Sequence, residues 1–194
     1  MFQKQPDFYT PEEYLALEEQ ADYKSEYYRG EIFAMAGGSA NHDRIAGNLY
    51  AVLNFAFEAK PCEVFSSDMK LQIIESEFFT YPDIMVICGQ PQFMGDRTDI
   101  IKNPLIIVEV LSKSTQNYDW GFKFEAYRTI ETFQDYLLIA QDRIHIEYFH
   151  KLEDSRWLLT EFNTAQDNLK IESIDLEVPI SRIYNKVDWF AAHV

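Results

Sequence analysis

Two carboxylates stand inside runs that are otherwise apolar. Asp83 lies in Phe78-Phe79-Thr80-Tyr81-Pro82-Asp83-Ile84-Met85-Val86-Ile87, and Glu109 in Leu105-Ile106-Ile107-Val108-Glu109-Val110-Leu111. Runs this apolar read as strands covered on both faces. An ionised carboxylate there is costly unless it is paired, hydrogen-bonded or bound to a metal. Two such acids on adjacent strands, with the Val110 backbone carbonyl beside Glu109, would form an oxygen-rich site suited to Mg²⁺ or Mn²⁺. Lys123 follows on a helical pattern, one turn after Asp119. Aimed at a phosphate, its ammonium would offset developing negative charge. Acid, acid and lysine on this scaffold point towards metal-assisted phosphodiester hydrolysis.

Each residue also has a plainer reading. Asp83 could end its strand by accepting backbone N–H bonds, Glu109 could be half of a buried ion pair, and Asp119 with Lys123 could be a solvated i,i+4 pair. Glu26 and His42 are supporting candidates. Glu26 alternates with tyrosines, a pattern that also fits a solvent-facing strand position. His42 sits three residues after Ser39, in the first turn of a helix, where capping or packing is the commoner role. His145, His150 and His193 show no ligand spacing. Gly37-Gly38-Ser39 lacks the Gly-Lys-Ser/Thr end of a phosphate-binding loop, and no Gly-x-Ser-x-Gly elbow occurs.

The elements that must position these groups are legible from periodicity. Thr10-Pro11-Glu12-Glu13 opens a helix with a capping residue, proline at the first position and glutamate three after the cap. Tyr14, Leu15 and Leu17 would form its inner face. Ser25 to Met35 reads as a hairpin turning at Arg29-Gly30. Ser39 caps a second helix with Ile45, Leu49, Val52 or Leu53, and Ala56 as its stripe, ended by Pro61. Strands are expected at 62–67, 70–75, 79–87 and 105–111, and a helix over 119–131 with Trp120, Phe124, Tyr127 and Ile130 or Glu131 spaced by three or four. Strands at 136–140, 144–149, 157–162 and 169–172 close the chain. The fold class is α/β (α+β), a mixed sheet core flanked by helices with additional C-terminal strands, in a single domain over 1–194.

Composition narrows the class. With 194 residues, 47% of them hydrophobic and 15% aromatic, the chain can bury a sizeable core and is not disordered. No apolar run would span a bilayer, and the N-terminus lacks the apolar stretch of a signal peptide. The two cysteines, Cys62 and Cys88, form neither a zinc ribbon nor a disulfide framework, which makes a reducing cytoplasm the expected location. The net charge of −15 argues against tight sequence-independent grip on nucleic acid. Residues 102–128 are locally balanced at +1, with Lys102, Lys113, Lys123 and Arg128 against Glu109, Asp119 and Glu125. Weak or transient DNA contact is therefore expected. The aromatic density suggests a self-association surface, and a homodimer would let two sites cut two strands.

Taken in order, Glu26-Tyr27-Tyr28-Arg29-Gly30-Glu31-Ile32, Met35-Ala36-Gly37-Gly38-Ser39-Ala40-Asn41-His42, Ser67-Asp68-Met69-Lys70, Tyr81-Pro82-Asp83-Ile84-Met85-Val86, Pro104 to Ser112 and Asp119 to Tyr127 form a specific set. The set resembles the PD-(D/E)XK nuclease superfamily, and within it the Uma-two family of restriction-endonuclease-like proteins. The resemblance implies an α-β-β-β-α-β core, a divalent-metal-dependent endonuclease activity on DNA, cation binding by Asp83 and Glu109, and Glu26 as a further acid. The superfamily's lysine would fall at Leu111. The family is similar in supplying it from the next helix, which implies Lys123. Lys113 is the rival, although strand rise puts it about 7 Å beyond Leu111. The departure at Leu111 leaves a second implied reading: a non-catalytic nucleic-acid- or protein-binding module that retains the fold.

Overall fold

A computed structural model describes residues 8–112 and 116–189. Helix α1 (Pro11–Glu18) is followed by strands β1 (Ser25–Tyr28) and β2 (Glu31–Ala34), helix α2 (Ala40–Ala56), and strands β3 (Cys62–Ser66), β4 (Lys70–Ile73), β5 (Phe78–Thr80) and β6 (Ile84–Cys88). Next come β7 (Ile100–Ile101) and β8 (Ile106–Leu111). A helical stretch consists of α3 (Gln116–Tyr118), a π-turn over Asp119–Lys123 and α4 (Phe124–Tyr127). The chain ends with β9 (Asp135–Ala140), β10 (Ile146–Lys151), β11 (Trp157–Phe162), β12 (Asn168–Ile171), β13 (Leu176–Pro179) and α5 (Ile180–Ile183).

The strands form a five-stranded sheet, β2-β1-β5-β4-β7, a six-stranded sheet, β11-β10-β9-β8-β6-β3, and the β12-β13 pair. The six-stranded sheet is mixed: β8 runs parallel to β9 and antiparallel to β6. Its two faces are sorted by residue parity, as a period of two requires. Ile106, Val108 and Val110 pack with Ile45, Leu49 and Leu53 of α2. Ile107, Met85 and Ile87 pack with Ala126, Tyr127 and Phe133 on the other side. Glu109 shares the parity of Ile107 and so faces the helical stretch.

Local chemistry sets the boundaries. Thr10 and Glu13 form a capping box on α1, and Ser39 accepts the His42 N–H at the start of α2. The β1–β2 turn places Arg29 at φ 44° and Gly30 at φ 93°, a left-handed pair that glycine eases at its second position.

Four expectations are corrected. The strand expected over 79–87 is two strands in different sheets, parted at Tyr81-Pro82-Asp83 because proline cannot donate to a ladder. The helix expected over 119–131 ends at Tyr127, and its buried stripe is Asp119, Lys123 and Tyr127, leaving Trp120 54% exposed. The π-turn adds a residue to the turn and shifts the stripe's phase. Leu17 faces solvent; Tyr14 and Leu15 are the buried residues of α1, and Glu18 accepts from the Ser25 N–H and the Tyr81 OH. Finally, Cys62 and Cys88 are directly opposed on β3 and β6 and are joined by a disulfide. Cross-strand register, which spacing does not reveal, brings them together, and it removes the cysteines as an argument for a reducing compartment.

Candidate functional site

The β6–β8 register pairs Ile84 with Val108, Met85 with Ile107 and Val86 with Ile106. Continued outward, it sets Asp83 opposite Glu109 and Pro82 opposite Val110. Proline has no N–H for the Val110 carbonyl, and the Val110 N–H instead donates to Asp83 Oδ2 at 2.7 Å. In an extended strand one residue's N–H and C=O point the same way, so the Val110 carbonyl also opens towards Asp83. The Pro-Asp sequence thus ends the ladder and leaves a carboxylate and a carbonyl side by side. His42 Nε2 approaches the same Asp83 oxygen at 3.1 Å from α2. His42 and Asp83 also line a groove of about 410 Å³ with Tyr50, Ser66 and Ser67.

On the inner side, Lys123 is 5% exposed and stands among three acids. Its Nζ lies 3.2 Å from Glu26 Oε1, 3.1 Å from Glu109 Oε1 and 3.3 Å from Asp119 Oδ1. A solvated pair with Asp119 is therefore corrected: the ammonium is buried and shared. Glu26 is likewise buried rather than solvent-facing, because β1 turns it under the helical stretch. Thr80 Oγ1 donates to its Oε1, and Tyr118 OH to its Oε2 at 2.9 Å. Tyr127 OH donates to Glu109 Oε1 at 2.7 Å.

These contacts fix the charge states. Burial pushes Glu109 up to about 8, opposed by Lys123 and reinforced by Asp119 and Asp83. Burial disfavours the Lys123 ammonium, yet Glu109, Glu26 and Asp119 together hold its pKa well above the ordinary value. Both shifts act in one direction: Lys123 is held charged, and Glu109 keeps its proton to higher pH than an ordinary carboxylate. Burial also works against a charged His42, but Asp83 outweighs it and the net shift is upward. Tyr127→Phe removes one donor from a buried acid, and urea unfolding should show a loss of about 1–3 kcal/mol.

The structure thus brings Glu26, Glu109 and Lys123 into contact, joins both His42 and the Val110 N–H to Asp83, and seats Asp119 beside Lys123. Spacing alone marks Asp119 only as a surface partner of Lys123, whereas in the π-turn it is buried. Lys113 lies outside the described residues.

The sequence pattern of the Uma2 family, described as "Putative restriction endonuclease", matches residues 11–181. The chain belongs to the Uma2 family. Two relatives in Synechocystis sp., both named as uncharacterized proteins, are similar over most of their length. One, sll1609, is 45% identical over 84% of this chain and 91% of its own; the other, slr1290, is 40% identical over 90% of each. A crystal structure from Anabaena variabilis, titled "a putative nuclease belonging to DUF820", superposes with a TM-score of 0.72 at 19% identity, covering 89% of this chain and 96% of that one. That likeness concerns the fold, a mixed α+β architecture with helices against its sheets. Among the described residues no helix is long and apolar enough to cross a membrane.

Proposed function

We propose that this Uma2 protein is a divalent-metal-dependent endonuclease that hydrolyses DNA phosphodiester bonds. The observation that carries the reading is the buried Lys123 ammonium 3.1 Å from Glu109, reached from the helical stretch although the strand itself offers Leu111. A lysine and acids gathered at the broken end of a β-ladder have no evident packing purpose, since burying such a group seldom stabilises by itself.

The donor set fits a hard cation. Asp83, Glu109 and the Val110 carbonyl are all oxygen donors, as Mg²⁺ or Mn²⁺ prefers. Four acids, Glu26, Asp83, Glu109 and Asp119, gather round one ammonium, Lys123, and a divalent ion that displaces the Glu109 proton would offset the charge they then carry. When bound, such an ion supplies Lewis acidity at the phosphate and an activated water. The chain's own groups do the rest. Asp83 is held in place by the Val110 N–H and His42. Glu26 and Asp119 keep Lys123 charged and aimed at the inner end of the site, where its ammonium offsets negative charge building on phosphorus oxygens. Tyr50, Ser66 and Ser67 give the groove hydroxyls while Asp43 and Asp83 give it acids, which suits weak, transient DNA contact by a chain of net charge −15. One domain, a cytoplasmic location and pairing of two copies to cut two strands complete the proposal.

The test is relaxation and linearisation of supercoiled plasmid with Mg²⁺ or Mn²⁺. The wild type should nick or cut. Asp83→Ala, with its fold checked by circular dichroism, should lose at least about 100-fold in rate. An inactive wild type with both metals, bound to DNA but not cutting it, would favour the binding-module reading suggested by the charge and by Leu111.

A further inference from the structure

A second group of ligating side chains lies on the outer strands. Glu147 of β10 and Glu161 of β11 are directly opposed in the antiparallel register. Like charges in that relation repel. His145, just before β10, places its Nε2 3.3 Å from Glu147 Oε1 and 4.0 Å from Glu161 Oε1. One ligand atom from each of the three lies within 4.8 Å of the others. The other imidazole nitrogen, Nδ1, is 2.8 Å from Asn163 Oδ1, an amide oxygen that can only accept. That contact puts a ring proton on Nδ1 and leaves Nε2 as the nitrogen that faces the two carboxylates. Fixing a ligating imidazole through its far nitrogen is a recurrent feature of metal sites. In addition, Glu147 Oε2 is buried with no hydrogen-bond partner. A buried carboxylate oxygen left so is costly.

We propose that His145, Glu147 and Glu161 form a binding site for a borderline divalent cation of the Zn²⁺ class, with Asn163 orienting the histidine. One cation would account for an imidazole Nε2 facing two acids and for the directly opposed glutamates. Ligand atoms about 2.0–2.1 Å from a tetrahedral ion stand roughly 3.3 Å apart. His145 and Glu147 already have that separation. Glu161, whose side chain is 54% exposed, is free to close the remainder. Imidazole with two carboxylates suits Zn²⁺ better than Mg²⁺.

The site is distinct from the one built around Glu109. Glu109 pairs with Leu138, and Leu138 with Glu147, so the two glutamates share a sheet face two strands apart, roughly 10 Å. Paired catalytic metals sit about 3.5–4 Å apart. The outer ion is therefore a clamp joining β10 to the edge strand β11, independent of any cleavage.

The test is calorimetric titration of the full chain carrying Glu109→Gln with Zn²⁺, in Mg²⁺-containing buffer. One equivalent should bind, and Zn²⁺ should raise the melting temperature. Adding Glu161→Gln, at a half-exposed position where folding is not at stake, should weaken binding at least about 10-fold, and His145→Gln should weaken it further. Co²⁺ in place of Zn²⁺ should give visible absorption bands that His145→Gln removes. Absence of Zn²⁺ binding, or binding unchanged in both variants, overturns the proposal. Plasmid cleavage is not a readout, so this outcome is separate from the fate of the nuclease reading.

Discussion

Lys123→Met should lower plasmid cleavage by a factor on the order of 100 or more while metal binding is retained, and it should also destabilise the metal-free protein. The two effects have one cause. Among the described residues Lys123 brings its ammonium within 3.3 Å of Glu26, Glu109 and Asp119, all buried. Removing one partner of a buried charge group leaves the others uncompensated, typically at a cost of about 3–5 kcal/mol. A drop of that size is on the order of 10 °C in melting temperature for a chain this long. Saturating Mg²⁺ should recover much of it, because a divalent ion supplies the missing positive charge. A variant that melts like the wild type without metal would show that the acids are not charged around the lysine. One that is destabilised but cleaves normally would end Lys123's assignment to the phosphate. Lys113→Met is the matched control and should be nearly silent in both measurements.

Features written in local chemistry were legible before the structure. The α1 start follows from Thr10, Pro11 and Glu13, and the hairpin from Arg29-Gly30, because caps and turns are decided within four residues. The acids Asp83 and Glu109 stood out because each interrupts an apolar run. What failed depended on distant contacts. Glu26 alternates like a surface residue, and only the helical stretch crossing above β1 buries it. A π-turn, which no periodicity announces, moved the inner stripe from Trp120 to Asp119 and Lys123. Cys62 with Cys88, and Glu147 with Glu161, meet through strand register, and register is set by pairings between segments far apart in the chain. His145 showed no ligand spacing for the same reason: its partners stand beside it on two different strands.

Glu109→Gln should stabilise the metal-free protein at pH 8 and abolish its response to Mg²⁺. In the folded protein burial raises the Glu109 carboxyl from its ordinary 4.5 to about 8. A raised folded value means the fold favours the protonated acid. That contribution is complete below about pH 4.5 and is lost as pH climbs through about 8. Wild-type stability should therefore decline across this window. Glutamine keeps the shape and cannot ionise, so the variant lacks this decline. The difference in melting temperature, variant minus wild type, should grow from pH 5 to pH 8, by at least about 5 °C, and flatten above it. Other titrating groups are common to both proteins and largely cancel. Mg²⁺ competes with the proton for the same oxygens, so it should raise the wild-type melting temperature more at pH 8 than at pH 6. Mg²⁺ rather than Mn²⁺ is the probe because the histidine-containing outer site disfavours it. A flat difference across pH 5–8 would mean that Glu109 ionises freely beside Lys123. An intact Mg²⁺ response in the variant would move the cation away from Glu109 altogether.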